Sequence, residues 1–119
     1  MALARLLDVI DIGPLGPALR GSASTALLKS TRLELLHLVL RARHDSPQHH
    51  VDDECCLHCL EGDVEVKLPA GVRRLAPGQL LVLPGGQPFS LSARVDSALL
   101  MTLLLQHGDA GDGGGSGAS

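Results

Sequence analysis

The chain of 119 residues is poor in aromatic side chains, because it has no Trp, no Tyr and a single Phe at position 89. Platforms that stack nucleic-acid bases and cages that enclose quaternary ammonium groups are both built from aromatic rings. The composition therefore excludes both kinds of site. The chain also lacks a long basic run and carries a formal net charge of −3, which argues against a nucleic-acid or anionic-membrane partner.

Long hydrophobic runs are missing as well. The longest is ALLMTLLL at residues 98–105, far shorter than the roughly 20 residues that a membrane-spanning helix needs. Near the start, Asp8 and Asp11 interrupt the only apolar stretch, so the pattern of a signal-peptide core is not met. We expect neither a membrane segment nor secretion.

The cysteine content points to a reducing compartment. Three cysteines crowd at positions 55, 56 and 59, an odd number with no distant cysteine to pair with. This arrangement favours free thiols over a disulfide framework. We therefore predict a cytoplasmic protein.

What the chain does contain is a series of short apolar segments separated by turn residues, a spacing typical of an all-β sandwich or barrel. Residues 32–42 fit either a helix or a buried strand, and the neighbouring short segments favour the strand. Residues 1–12 fit a strand or one or two helical turns. We divide the chain into an N-terminal segment (1–23), a β-barrel (24–106) and a flexible Gly/Ser-rich tail (107–119). The predicted strands are 24–29, 32–42, 54–60, 63–68, 71–75, 79–83, 87–93 and 97–106.

Residues 49–68, HHVDDECCLHCLEGDVEVKL, combine a cluster of potential ligands with a turn and an alternating strand. We interpret them as a β-hairpin whose turn contains Gly62, the residue that tolerates positive φ without strain. Because side chains alternate along a strand, Cys55, Leu57 and Cys59 should share one face. Only side chains on the same face of this strand can act together in one site.

Two stretches resemble the sequence motifs of the cupin superfamily: ECCLHCLEGDVEV at 54–66 and LAPGQLLVLPGGQPFSL at 75–91. The segment DVIDIGPLGPAL at 8–19 is similar to the start of small single-domain cupins. The resemblance implies a double-stranded β-helix, which is a small jelly-roll barrel. It also implies a homodimer, and a metal ion at the barrel centre in the active members.

The resemblance carries the four metal ligands of cupins onto positions that mostly cannot bind a metal. The two histidines of the first motif fall on Gln48 and His50, and its glutamate falls on Cys55, with Glu54 one residue early. The last histidine falls on Phe89, after the matching Pro84 and Gly86. A bulky apolar ring at that position would fill the space that an ion needs. We therefore expect the usual cupin metal to be absent or weakly held.

Another set of donors keeps a metal site open as an alternative. Thiolate and imidazole are the ligands that zinc prefers. The alternative set is His50, Cys55 and Glu54, with His49 and Cys59 as substitutes, and the candidate ions are divalent Zn, Fe, Mn or Ni. The opposite interpretation treats the cysteines as small buried hydrophobic residues and the histidines as rim residues. We favour the second interpretation and expect no cofactor.

Two functions remain open on the sequence. The first is a non-catalytic cupin that binds a small molecule or acts as a sensor or interaction module. On this hypothesis, which we favour, the protein is not an enzyme. The second is a metal-dependent isomerase or dioxygenase that uses the atypical ligand set. The apolar run at 98–105 would aggregate as an uncovered strand, so we also predict a homodimer. The predicted ligand pocket is lined by Gln48, His50, Cys55, Leu57, Cys59 and Phe89.

Overall fold

The chain folds into two antiparallel β-sheets, as described for residues 3–105 by a computed structural model. One sheet has five strands in the order β1-β2-β8-β3-β6, and the other has three in the order β5-β4-β7. This confirms the all-β prediction, and residues 32–42 contain a strand. The strands are β1 (Thr25–Lys29), β2 (Leu33–Leu40), β3 (Cys55–Glu61), β4 (Val64–Leu68), β5 (Gly71–Leu75), β6 (Leu80–Leu83), β7 (Ser90–Ala93) and β8 (Ser97–Leu104).

The segment that connects β2 to β3 widens the smaller sheet. Its residues 43–49 run antiparallel to β7, and the backbone N–H of Ser46 donates to the carbonyl of Leu91 at 2.8 Å. His49 and Phe89 exchange two backbone hydrogen bonds, with N···O distances of 2.6 and 3.0 Å. The register of this pairing decides which histidine of the 49–50 pair lies beside Phe89.

The core lies between the two sheets and is almost entirely aliphatic. Strands of both sheets alternate buried and half-buried residues, as the period of two requires. Full burial of one such side chain contributes roughly 1.5–3 kcal/mol, so this layer is the main source of stability. Its members are Cys55, Leu57, Cys59, Val64, Val66, Leu75, Leu83, Phe89, Leu91, Leu99 and Met101.

The predicted hairpin across residues 54–68 is wrong, although both of its strands exist. β3 pairs with β6 and β8, whereas β4 pairs with β5 and β7 in the other sheet. The turn at Gly62, with φ +94°, therefore carries the chain from one sheet to the other. The hairpins of this fold are β1/β2 and β4/β5. Side chains alternate along β3 whichever strand it pairs with, so the prediction that Cys55, Leu57 and Cys59 share one face is confirmed.

The N-terminal segment, which the sequence left open between strand and helix, runs along the edge of the larger sheet. Ala4 forms a parallel bridge with Leu28, and its N–H donates to the carbonyl of Leu27 at 2.8 Å. A tight turn follows at residues 5–8. The segment is thus an additional edge of the five-stranded sheet.

A 3-10 helix at Gly16–Gly21 was missed by the sequence analysis. Pro17 lies in its first turn, where the fixed φ and the missing N–H of proline fit a helix start. The carboxylate of Glu61 accepts the N–H groups of Leu15 and Gly16 at 2.8 and 3.2 Å. Glu61 thereby holds the start of the helix against the end of β3.

Arg41, at the end of β2, holds the other end of that helix. Its guanidinium donates to the carbonyl oxygens of Leu19 and Ser22 at 3.1 and 2.7 Å. Leu19 is buried. Arg41 therefore contributes to the fold.

Across residues 3–105, no helix is long and apolar enough to cross a lipid bilayer. The predicted flexible tail, 107–119, lies outside the described residues.

Candidate functional site at the barrel interior

Strand β3 directs two of its three cysteines into the core. The side chains of Cys55, Leu57 and Cys59 are 1%, 0% and 0% exposed, while Cys56 and His58 between them are half-buried on the outer face. None of the three cysteines forms a disulfide, as the sequence predicts. Only one of the two sulfurs in the Cys56–Cys59 pair faces inward, so the pair does not converge.

Phe89 lies where the resemblance places the last cupin ligand, and its ring is in the core. The side chain is 1% exposed, so the inward orientation expected from the sequence is confirmed. The ring stacks against the imidazole of His49, with 5.3 Å between ring centroids and an interplanar angle of 26°. This geometry is that of an offset aromatic pair, whose interaction adds about 0.5–1.5 kcal/mol to simple burial.

The structure reverses the orientation that the sequence analysis gave to the neighbouring histidines. His50 and Gln48, predicted to face the interior, are exposed, whereas His49 is half-buried against Phe89. The reason is the backbone pairing of His49 with Phe89, which sets the facing of the residues on either side. Sequence alone offers no signal for this register, because residues 43–49 lack an alternating pattern.

Gly85 shows why the loop that carries His50 and Glu54 follows its path. A Cβ at Gly85 would collide with the backbone of Asp52 and Asp53. The N–H of Gly86 donates to the carbonyl of Val51 at 2.8 Å. The Pro-Gly-Gly turn therefore holds the 50–54 loop through backbone contacts. Only glycine fits at position 85. The motif match did not predict this role.

The thiols are held in their protonated form. Burial raises the pKa of Cys55 to about 11, with a further contribution from the neighbouring Cys56. Burial also raises the pKa of Cys59, with the nearby Asp63 acting in the same direction. Burial raises the pKa of Cys56 as well. At neutral pH all three are neutral thiols, whereas metal binding and nucleophilic attack both need the thiolate.

The donors that the sequence analysis selected do not fit the cupin metal. Within residues 3–105, no three His, Cys, Asp or Glu side chains are placed to share an ion. Cys55 is a buried thiol, and Phe89 has no lone pair to donate. His50 and Glu54 are exposed on the loop outside the core. The selection of His50, Cys55 and Glu54, with His49 and Cys59 as substitutes, remains a prediction.

A concave feature lies on the outer face of the larger sheet. It is a shallow groove of about 200 Å³ at the start of β3, between β6 and the end of β8. The sequence analysis did not anticipate it, because the groove joins side chains from three strands that are distant along the chain. Its lining residues are Glu54, Cys55, Cys56, Val82, Thr102 and Leu104.

Comparison with solved structures shows which fold this is. The chain is similar to a cupin superfamily protein of Desulfitobacterium hafniense, with a TM-score of 0.71, 18% identity, and coverage of 87% of this chain and 100% of that one. A conserved Streptococcus pyogenes protein of unknown function has a TM-score of 0.68 and 19% identity, with coverage of 90% and 97%. The fold is therefore the cupin jelly roll, as the motif resemblance implied.

An enzyme also appears among the similar structures. A salicylate 1,2-dioxygenase of Pseudoaminobacter salicylatoxidans in complex with gentisate has a TM-score of 0.63 and 19% identity, over 68% of this chain and 24% of that one. No protein-family model matches the sequence, and no curated protein does either. At these identities the likeness establishes the fold, and activity has to be argued from the site itself.

Proposed function

We propose that this chain is a non-catalytic cupin-fold interaction module whose interior is a packed core instead of a metal centre. The observation that carries the proposal is the buried ring of Phe89, which stacks on His49 where the motif resemblance places a metal ligand. A benzyl group supplies no electron pair. It also makes the surrounding space apolar, which disfavours a bare cation.

The buried sulfurs support the same proposal. A metal site on Cys55 or Cys59 would first have to remove a proton from a thiol whose pKa is raised by burial. Binding would thus cost the deprotonation free energy in addition to the displacement of core side chains. An imidazole from His50 would have to leave the exposed loop to join them.

A small molecule in the interior would meet a similar obstacle. Leu57 and Cys59 are fully buried and pack against the opposite sheet. A ligand there would have to separate contacts that contribute to folding. We therefore place the binding function on the outer surface of the sheets, with another protein chain as the partner.

Elemental analysis of protein purified without chelator tests the proposal. We expect far less than one equivalent of Zn, Fe, Mn or Ni per chain, and no change in His50→Ala or Cys55→Ser. His44→Ala is the matched control, since His44 is an exposed histidine of the same connecting segment. One equivalent of metal that is retained in His44→Ala and lost in both other variants would overturn the proposal and favour the metal-dependent cupin enzyme.

A further inference from the structure

Strand β6 forms an open edge of the five-stranded sheet. It pairs with β3 on one side, and within residues 3–105 no backbone group of Leu80–Leu83 bonds to another segment. Its sequence, LLVL, contains no charged residue. Leu80 and Val82 on its outer face are 57% and 55% exposed. An uncharged and uncovered edge strand is a template on which a further strand can pair.

The other three sheet edges in the described part of the chain are each protected. The edge of β1 is covered by the N-terminal segment, through the bridge between Ala4 and Leu28. The edge of β7 is covered by residues 43–49, in which Pro47 provides a position without an N–H group. The edge strand β5 carries two exposed arginines, and charges of this kind discourage pairing. The unprotected edge is therefore particular to β6.

The register of β6 shows which of its backbone groups face the open edge. At the start of the β3/β6 ladder, Cys59 donates its N–H to the carbonyl of Gln79 at 2.9 Å. Hydrogen-bonded and non-hydrogen-bonded pairs alternate along an antiparallel ladder. Every second residue, beginning with Leu81, therefore bonds to β3, whereas Leu80 and Val82 direct their N–H and C=O groups outward. An extended peptide along this edge can bond to both of these residues.

Arg73 supplies a positive charge on the same side of the molecule. It lies opposite the buried Val66 in the β4/β5 ladder, so it belongs to the face of β5 that is turned toward the larger sheet. Because β5 is itself an edge strand, Arg73 is exposed. Arg73 and Val82 each lie two residues from the turn that joins β5 to β6, which is about 7 Å along each strand. The charge thus accompanies the open edge.

We infer that β6 pairs with an extended segment of a partner protein, which has aliphatic residues facing outward and a glutamate or aspartate between them that binds Arg73. Side chains alternate along the added strand, so its outward residues pack beside Leu80 and Val82 and its inward residues face β5. Among residues 3–105, no carboxylate forms a salt bridge with Arg73. The inference rests on the proposed function, because it specifies what such an interaction module binds.

Charge complementarity favours a different protein over a second copy of this chain. If two copies paired through β6, the inward positions of the added strand would be Leu81 and Leu83 of the second copy. A leucine offers no acceptor to a guanidinium, whereas a carboxylate can form two parallel hydrogen bonds with it. In strand addition, main-chain hydrogen bonds provide affinity and alternate side chains provide specificity. Here the acidic residue provides the specificity.

Fluorescence anisotropy with labelled synthetic peptides tests the recognition of charge. The probe is the peptide Thr-Val-Glu-Val-Glu-Val-Thr, and the comparison peptide has Lys in place of both Glu residues. We expect saturable binding of the probe, with a Kd below about 1 mM, and roughly tenfold weaker binding of the comparison peptide. Arg73→Glu should reverse this order. Arg94→Glu is the matched control, since it makes the same charge change at another exposed arginine and should keep the order.

Three results of that experiment would overturn the inference. They are no binding of either peptide, equal binding of both by the wild type, and an order of affinities that Arg73→Glu leaves unchanged. Metal content plays no part in the measurement, so a failure here is distinct from a failure of the proposed function.

A proline at position 82 tests the backbone contact. Val82→Pro removes an outward N–H and no bond to β3, and such a position on an edge strand accepts proline. We expect probe binding to weaken by roughly tenfold or more, whereas Val82→Thr, which keeps the N–H, should bind as the wild type does. Unchanged binding by folded Val82→Pro, or a wild-type dimer that this variant converts to a monomer in sedimentation, would contradict the inference. If Val82→Pro does not fold, the Arg73→Glu exchange decides alone.

Discussion

The pairing of Phe89 with His49 separates what sequence can predict about a single residue from what it cannot. The inward position of Phe89 follows from its place after the Pro-Gly-Gly turn, a local pattern that the motif resemblance contains. The choice of His49 over His50 depends on hydrogen bonds between segments 40 residues apart along the chain. No local pattern encodes that register, so the sequence analysis selected the wrong imidazole for the interior.

The raised pKa of the Cys55 thiol leads us to expect a loss of stability at alkaline pH. The thiol ionises near its ordinary pKa of 9.0 in the unfolded chain and near 11 in the folded one. Below pH 9 both states keep the proton. Between about pH 9 and 11 only the unfolded state releases it, so the free energy of unfolding should fall as the pH rises through this range. Urea unfolding at pH 8, 9 and 10 measures the fall.

Replacement of the thiol isolates its contribution. Cys55→Ala should show a shallower decline between pH 8 and 10 than the wild type, even though its stability at pH 8 is lower. Cys56→Ala removes a half-buried thiol from the outer face and should keep most of the decline. Equal slopes in the wild type and Cys55→Ala would show that the buried thiol is not responsible.

Among the elements, strand positions were predictable and strand partners were not. Short apolar segments with turn residues between them located the eight strands of residues 3–105 to within a few residues. Consecutive strands joined by a short turn usually pair, which is why β3 and β4 were interpreted as a hairpin. In this jelly roll the same short turn changes sheets, and the pairing is set by distant strands such as β8.

Gly62 is the residue that the sheet-changing turn requires. A Cβ at Gly62 would overlap the hydroxyl of Ser97, and the backbone there has positive φ. Ser97 is itself fully buried, and its hydroxyl accepts the N–H of Asp63 at 2.9 Å. Gly62→Ala should therefore combine a conformational cost with an overlap, and lower the free energy of unfolding by about 2–5 kcal/mol.

Gly78→Ala is the matched control for that substitution. Gly78 has φ +87°, close to that of Gly62, but a Cβ there meets nothing within 4 Å. It should cost only the conformational term, about 1–2 kcal/mol. Chemical denaturation of the two variants compares them directly. If Gly62→Ala were no more destabilising than Gly78→Ala, the contact with Ser97 would not constrain the turn.

At the scale of the whole molecule, the cupin fold was predictable because the motifs that determine its turns remain, even where the ligands are lost. Pro84, Gly86 and Gly62 are turn residues, and their spacing along the sequence indicates where the chain turns. The positions of the metal ligands determine the chemistry of a cupin, and here two of them are occupied by Phe89 and Cys55 in an apolar core. The groove escaped prediction, because it forms only when β3, β6 and β8, which are distant along the chain, are assembled side by side.

The central claim is that the interior of this barrel is a packed apolar core. Its most direct test is a crystal structure of protein purified without chelator, with anomalous diffraction recorded near the absorption edges of Zn, Fe, Mn and Ni. We expect Phe89 stacked on His49 between the sheets and no anomalous peak beside Cys55. A peak within about 2.4 Å of the sulfur of Cys55 or a nitrogen of His50, the range of metal–ligand bonds, would contradict it.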